Sequence, residues 1–170
     1  GLQLEASPVL AAERTIRIFL ASSAGLKGER GALDLFIGQQ NDRLLKGGVY
    51  LKLVRWEHFL DAMSDTRLQD EYNRAVRECD VFVSLFFTKT GKFTEEEFDT
   101  AHRQFLATGK PRIYTCFKNA DVKTGEITDE IVSLLAFKKK LDGLGHFHTG
   151  YADIEHLKRQ FREQLDVLIR

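Results

Sequence analysis

The sequence has no net charge and no long apolar run. Its 170 residues include 25 lysines and arginines against 25 aspartates and glutamates, so no net field would attract nucleic acid or an anionic membrane. No apolar run approaches the roughly 20 residues that span a bilayer, and no signal peptide is recognisable. We therefore expect direct binding neither to nucleic acid nor to a membrane.

Cysteine is also scarce. Cys79 and Cys116 lie far apart, fit no metal-ligand spacing, and sit in or beside apolar segments. Buried free thiols of this kind are typical of a reducing compartment, so we expect a cytoplasmic protein. His146 and His148 would point the same way on a strand, but a third ligand is missing, and we expect no metal site.

What the sequence does contain is a regular alternation of two patterns. From Thr15 onward, five β-type runs alternate with five helical patterns. The β-type runs are "TIRIFLASS", "VYLKLVRWE", "DVFVSLFF", "RIYTCF" and "GHFHTGY". This alternation predicts an α/β fold with a flavodoxin-like five-stranded parallel sheet and helices on both faces. Residues 15–170 would form this one domain, and residues 1–14 a linker or N-terminal extension.

The predicted fold also locates a site. In such sheets ligands bind beyond the carboxyl ends of the strands, where the strand order reverses. The loops that follow the first three strand-like runs, residues 21–28, 57–69 and 88–94, are therefore expected to form it. The second loop contains "HFLDAMSDTRLQ", residues 58–69, which has no lasting period and is predicted to be a long loop.

The stretch "FTEEEFDTA" holds the strongest candidate for chemistry. Glu97 lies four residues after Phe93 and four before Ala101, so the three would line one edge of the helix face that meets the core. Phe93 would offer an aromatic wall, and Ala101 would leave space. Spacing alone favours a first-turn carboxylate that stabilises the helix dipole, and it leaves a contact with a ligand open.

Several common chemistries have no support in the sequence. Neither G-x-x-x-x-G-K-[ST] nor G-x-G-x-x-G follows the first strand, which argues against a P-loop NTPase and a Rossmann dehydrogenase. G-x-S-x-G is absent as well, so a serine hydrolase triad is not supported.

The succession "IRIFLASS", "WEHFLDAMSDTRLQDEY", "CDVFVSLFF" and "FTEEEFDTA" resembles a bacterial TIR (Toll/interleukin-1 receptor) domain over residues 15–170. The resemblance implies an NAD-cleaving enzyme with Glu97 as the catalytic residue and NAD as its substrate, without a bound cofactor. Phe93, in place of the family's Trp, and Trp56 would stack on a ring. The remaining implied contacts to substrate are Ser22, Ser23, Leu26 and Ala101.

The resemblance also implies self-association, as part of a prokaryotic immune protein with a fused or associated sensor domain. The family's assembly loop corresponds to residues 58–69, which contain Phe59, Leu60, Met63 and Arg67. The end of the first strand also departs from the family. The first strand often ends in Ser, an aromatic and Arg, whereas here Ala21, Ser22 and Ser23 stand there. A basic contact would then come from Arg55, Arg67 or Lys89.

Two other functions stay open. The start "SSAGLKGER" is similar to a TIR-like family of unknown activity. In that case the domain would be an interaction module that catalyses no reaction. A nucleoside deoxyribosyltransferase-like enzyme would also place a glutamate over a parallel sheet, but as a covalent nucleophile.

Overall fold

The computed structural model describes residues 13–22, 25–56, 66–87 and 95–169, and it describes the backbone alone at 55–56, 66–69 and 95–97. Within these residues five strands alternate with five α-helices. The strands are β1 (Arg14–Ser22), β2 (Val49–Trp56), β3 (Val81–Phe87), β4 (Arg112–Lys118) and β5 (Phe147–Tyr151). The helices are α1 (Lys27–Leu44), α2 (Thr66–Glu78), α3 (Glu95–Thr108), α4 (Asp129–Leu144) and α5 (Ile154–Ile169).

The five strands form one parallel sheet in the order β2-β1-β3-β4-β5. This is the flavodoxin-like arrangement, so the predicted fold class is confirmed. The strand order reverses between β1 and β3, because β2 lies on one side of β1 and the later strands lie on the other. Residues beyond the carboxyl ends of β1 and β3 therefore flank the position where such folds bind ligands.

Burial along the strands follows their place in the sheet. β3, "VFVSLFF", is buried from Val81 to Phe86 because helices cover both of its faces. β2 is an edge strand in which Leu51 is buried and Lys52 is exposed.

Two apolar layers hold the helices to the sheet. On one face α1 and α5 pack against the sheet through residues such as Leu33, Phe36 and Phe161. On the other face α2, α3 and α4 pack through residues such as Tyr72, Phe98 and Phe137. Cys79 and Cys116 are free and buried, one in each layer, and burial raises the pKa of both thiols to about 12.

The helix ends follow ordinary chemistry. The Thr128 hydroxyl accepts a hydrogen bond from the Ile131 backbone N–H at 3.2 Å and so caps α4. Gly109 and Gly145 follow α3 and α4 with φ of 78° and 74°, a region that favours glycine. None of the helices within the described ranges is long and apolar enough to cross a membrane.

One boundary differs from the prediction. The loop expected over residues 58–69 ends earlier, because α2 begins at Thr66. Leu68 lies four residues before Tyr72, so the i, i+4 pattern of the helix extends back by one turn, and no glycine or proline interrupts it. Arg67 is therefore a helix residue and not a loop residue. Phe59, Leu60 and Met63 lie outside the described residues.

Candidate functional site

The carboxyl ends of the strands meet at one edge of the sheet. Ser22 at the end of β1 pairs in register with Leu85 of β3, and Lys118 at the end of β4 pairs with Phe87 on one side and Tyr151 on the other. Ser22 also adjoins the reversal of strand order. The site predicted from the loops therefore has a described floor made of these strand ends.

A buried arginine stands directly at the end of β1. The Arg30 guanidinium donates from Nη1 to the Ser22 hydroxyl oxygen at 2.7 Å, and both residues are buried. Arg30 belongs to the first turns of α1, on the helix face that also buries Leu26 and Leu33. Because Ser22 Oγ accepts this bond, its own hydrogen remains available to donate to another group.

Arg30 lies at the strand end where the sequence lacks a basic residue. The sequence led us to expect Arg55, Arg67 or Lys89, whose side chains lie outside the described residues. The structure brings a different one, Arg30, to the same strand end. The spacing in the sequence could have identified Arg30. It follows Leu26 by four residues and precedes Leu33 by three, so a charged residue occupies a core-facing helical position.

A second buried charge lies one residue earlier. Glu29 Oε1 accepts a hydrogen bond from Lys118 Nζ at 3.1 Å; the carboxylate side chain is only 5% exposed and the lysine side chain 29%. The same ammonium lies 5.1 Å from the centre of the Phe87 ring. This ion pair fixes the start of α1 to the carboxyl end of β4.

Two buried polar atoms of this cluster have no hydrogen-bond partner among the described residues. They are Glu29 Oε2 and the Tyr151 phenol oxygen. Burial raises the pKa of the Tyr151 phenol, and the negative charge of Glu29 raises it further, so the phenol keeps its proton. The cluster thus holds an acceptor and a donor close to the predicted site.

Glu97 lies in the first turn of α3. This helix connects the carboxyl end of β3 with the amino end of β4, so its first turn is on the same side of the molecule as the strand ends. The Glu97 side chain is not described, and Phe93, Ser23 and the side chain of Trp56 also lie outside the described part. The direction of the Glu97 carboxylate therefore stays a prediction.

The described site residues lie on two faces of the sheet. Ser22 and Leu26 are on the side of α1, with Leu26 fully buried in the layer that α1 and α5 form. Phe98 and Ala101 are buried in the layer that α2, α3 and α4 form. Only the open edge of the sheet joins the two groups, so a ligand contacting both would lie over the strand ends.

His146 and His148, the two histidines of "HFH", have different partners. His146 Nε2 lies 2.7 Å from His102 Nδ1, whereas His148 Nε2 lies 2.6 Å from a carboxylate oxygen of Asp142. Within the described ranges, no three His, Cys, Asp or Glu residues are grouped so that they could hold a metal ion.

Comparison of the chain with protein-family models, with curated proteins and with solved structures finds no match. The geometry of the strand ends and the motifs of the sequence therefore carry the functional argument.

Proposed function

We propose that this domain cleaves NAD at the nicotinamide–ribose bond, with Glu97 as the catalytic carboxylate. In this proposal it is the TIR-type effector domain of a prokaryotic immune protein, activated when copies assemble through a fused or associated sensor. The observation that supports it most is the Arg30–Ser22 pair at the reversal of strand order. In this proposal Arg30 of the pair takes the part of the basic group that the resemblance implies at the end of the first strand.

The pair suits the phosphate part of the substrate. A guanidinium is always charged and matches phosphate oxygens with its planar set of N–H groups. The Ser22 hydroxyl, held as an acceptor by Arg30, can donate to an oxygen beyond the strand end. In the proposed complex the phosphates lie over β1, and the ribose next to nicotinamide extends toward the first turn of α3.

The reaction needs only one carboxylate. When the C–N bond breaks, its electron pair goes to nicotinamide, which was cationic and leaves neutral without a proton. Positive charge develops on the ribose, as in glycoside cleavage, and Glu97 stabilises it. Water then attacks the ribose carbon and loses a proton. Preorganised contacts of this kind typically contribute about 3–4 kcal/mol to transition-state stabilisation.

The test is nicotinamide release from NAD, measured by chromatography with concentrated or crowded protein so that copies associate. We expect release by the wild type and strongly reduced release by Glu97→Ala. Wild-type release by Glu97→Ala would remove Glu97 from the mechanism. No release by a demonstrably associated wild type would remove the enzymatic proposal.

A second candidate is an interaction module that binds a further copy of itself without chemistry. Ile127, Val132 and Leu135 are 46%, 54% and 47% exposed on and just before α4. This helix starts with Asp129 and Glu130 and carries exposed Lys139 and Lys140 near its end. The other large apolar residues that are exposed in the described part stand apart on other helices.

Two copies of α4 would be complementary to each other. An antiparallel arrangement about a two-fold axis places the acidic start of each helix toward Lys139 of the other, with the apolar residues between them. Sedimentation of the wild type should then show association that Val132→Asp with Leu135→Asp weakens and that Leu106→Asp, on α3, does not. Equal association of all three proteins would exclude α4 as the contact.

A further inference from the structure

A cavity lies at the edge of the sheet opposite the candidate active site. It is found where α3 and α4 end and where β4 and β5 begin, and its volume is about 410 Å³. Pockets that bind small molecules typically have about 300–1,000 Å³. The lining residues that matter for its chemistry are Phe105, Arg112, Tyr114, His146, Phe147 and Gln164.

Tyr114, which lines the cavity, has a buried hydroxyl. The residue is 5% exposed, and among the described residues its phenol oxygen has no partner at full hydrogen-bond geometry, although the Arg112 side chain lies close enough to interact with it. A buried hydroxyl without a hydrogen bond is unfavourable, and native structures usually provide such a group with a partner. Because Tyr114 lines this cavity, a molecule bound there is in a position to supply that partner.

A cation stands beside this hydroxyl. Burial, the largest effect, raises the pKa of the Tyr114 phenol, while the positive charge of Arg112 and its hydrogen-bonding contact with the phenol lower it. Arg112 itself is exposed at the first residue of β4, and no carboxylate of the described residues forms an ion pair with it. The nearby Asp80 carboxylate is engaged by Lys110 at 2.9 Å and by the Arg17 backbone N–H at 2.8 Å.

The rest of the lining is largely aromatic. The rings of Phe105 and His146 lie 4.9 Å apart, and those of Tyr114 and Phe147 lie 5.6 Å apart, both pairs edge to face. His146 is held in place by the contact with His102 at 2.7 Å. Walls of this kind are suited to a flat, unsaturated ring.

One effect opposes the binding of an anion. The carboxyl-terminal ends of α3 and α4 lie at this edge, and each contributes roughly half a negative charge. Part of this is compensated locally, because the Phe105 carbonyl accepts from the Gly109 N–H at 2.7 Å and the Gln104 carbonyl from the Thr108 hydroxyl at 2.9 Å. Arg112 supplies a full positive charge in the geometry that carboxylates and phosphates prefer. This charge outweighs the partial negative charges of the helix ends, so the cavity favours an anion.

We propose that this cavity binds a small molecule that carries an aromatic or other unsaturated ring and one carboxylate or phosphate. Arg112 pairs with the anionic group, the Tyr114 hydroxyl donates a hydrogen bond to it, and the ring lies against Phe105 and Phe147. The site is separate from the strand ends at which we propose NAD cleavage. The proposal of a ligand site is therefore independent of that activity.

The experiment uses the full chain and four defined probes, with binding followed by amide chemical shifts in two-dimensional NMR. Benzoate and phenyl phosphate carry both required groups. Benzyl alcohol lacks the charge, and inorganic phosphate lacks the ring. We expect saturable shifts near Phe105, Arg112 and Phe147 with at least one of the first two probes, and much weaker ones with the last two. Absence of saturable shifts with both benzoate and phenyl phosphate overturns the proposal.

Variants then assign the contacts. Arg112→Gln should weaken binding at least about tenfold, since a charged hydrogen-bonded pair is lost, and Tyr114→Phe several-fold, since one donor is lost. Arg103→Gln, which removes an exposed arginine of α3 outside the cavity, should leave the affinity unchanged. Equal affinity of wild type and Arg112→Gln overturns the proposal, as does an equal loss in Arg103→Gln. The amide spectra themselves show that each variant is folded.

Discussion

Charged residues at core-facing positions define the candidate site at the scale of single residues. Arg30 and Glu29 are both buried at the start of α1, where the neighbouring helical positions hold Leu26 and Leu33. Both contribute to the site by contacts with residues that are distant in sequence or lie in another element. Glu29 and its partner Lys118 are 89 residues apart, so no local pattern could have paired them.

Removing the lysine of this pair should destabilise the fold. Lys118→Met leaves the buried Glu29 carboxylate without its cation, and we expect the free energy of unfolding to fall by about 3 kcal/mol, at the lower end for buried pairs because Lys118 is partly exposed. Urea denaturation measures this change. The matched control is Lys158→Met, because Lys158 is about as exposed as Lys118 but its partner Glu155 is 79% exposed; losing this pair should cost less than about 1 kcal/mol. Equal losses in the two variants would contradict a buried role for Glu29.

The His102–His146 contact makes stability depend on pH. Burial lowers the pKa of His146, and the nearby charge of His102 lowers it further. The unfolded chain, with a histidine pKa of about 6.5, therefore binds a proton more readily than the native state does.

We therefore expect the stability associated with His146 to be complete above about pH 6.5 and to decrease as the pH falls below that value toward its native pKa. Denaturation of wild type and His146→Gln between about pH 7.5 and 5 measures it. The difference in the free energy of unfolding should shift in favour of the variant at the acidic end. Parallel pH profiles of the two proteins would show that His146 is not the cause.

At the scale of helices and strands, most boundaries followed from local chemistry. The Thr128 cap and the glycines after α3 and α4 were visible in the sequence, because capping depends on neighbouring residues. The start of α2 was predicted too late, because Thr66 to Gln69 show no lasting period by themselves. They continue a helix whose buried face is set by Tyr72 and Val76.

The cap offers a test at this scale. Thr128→Ala removes the acceptor for the Ile131 N–H, and we expect α4 and the fold to lose about 1 kcal/mol. Thermal or urea denaturation reports the change, and Thr128→Ser, which keeps the hydroxyl, should retain most of the stability. If Thr128→Ser lost as much stability as Thr128→Ala, the hydrogen bond of the hydroxyl would not be the cause of the stabilisation.

At the scale of the whole molecule, the alternation of strands and helices was sufficient to predict the parallel sheet. Continuous apolar runs such as β3 can be covered only between two helical layers, and crossover connections then fix the direction of the strands. The buried polar cluster could not be predicted in this way, because it forms where Ser22, Lys118 and Tyr151 end three different strands. The cavity at the opposite edge could not be predicted for the same reason, because its lining comes from four elements that are separate in the sequence.

The most direct test of the proposed activity compares two neighbouring glutamates. Glu97→Gln and Glu96→Gln remove the same charge from the same turn of α3, so their effects on the helix dipole are similar. Nicotinamide release from NAD is measured for both variants and for the wild type under conditions of association. We predict that Glu97→Gln is slower than the wild type by about a hundredfold or more and that Glu96→Gln is nearly unchanged. Equal rates for the two variants would contradict the account.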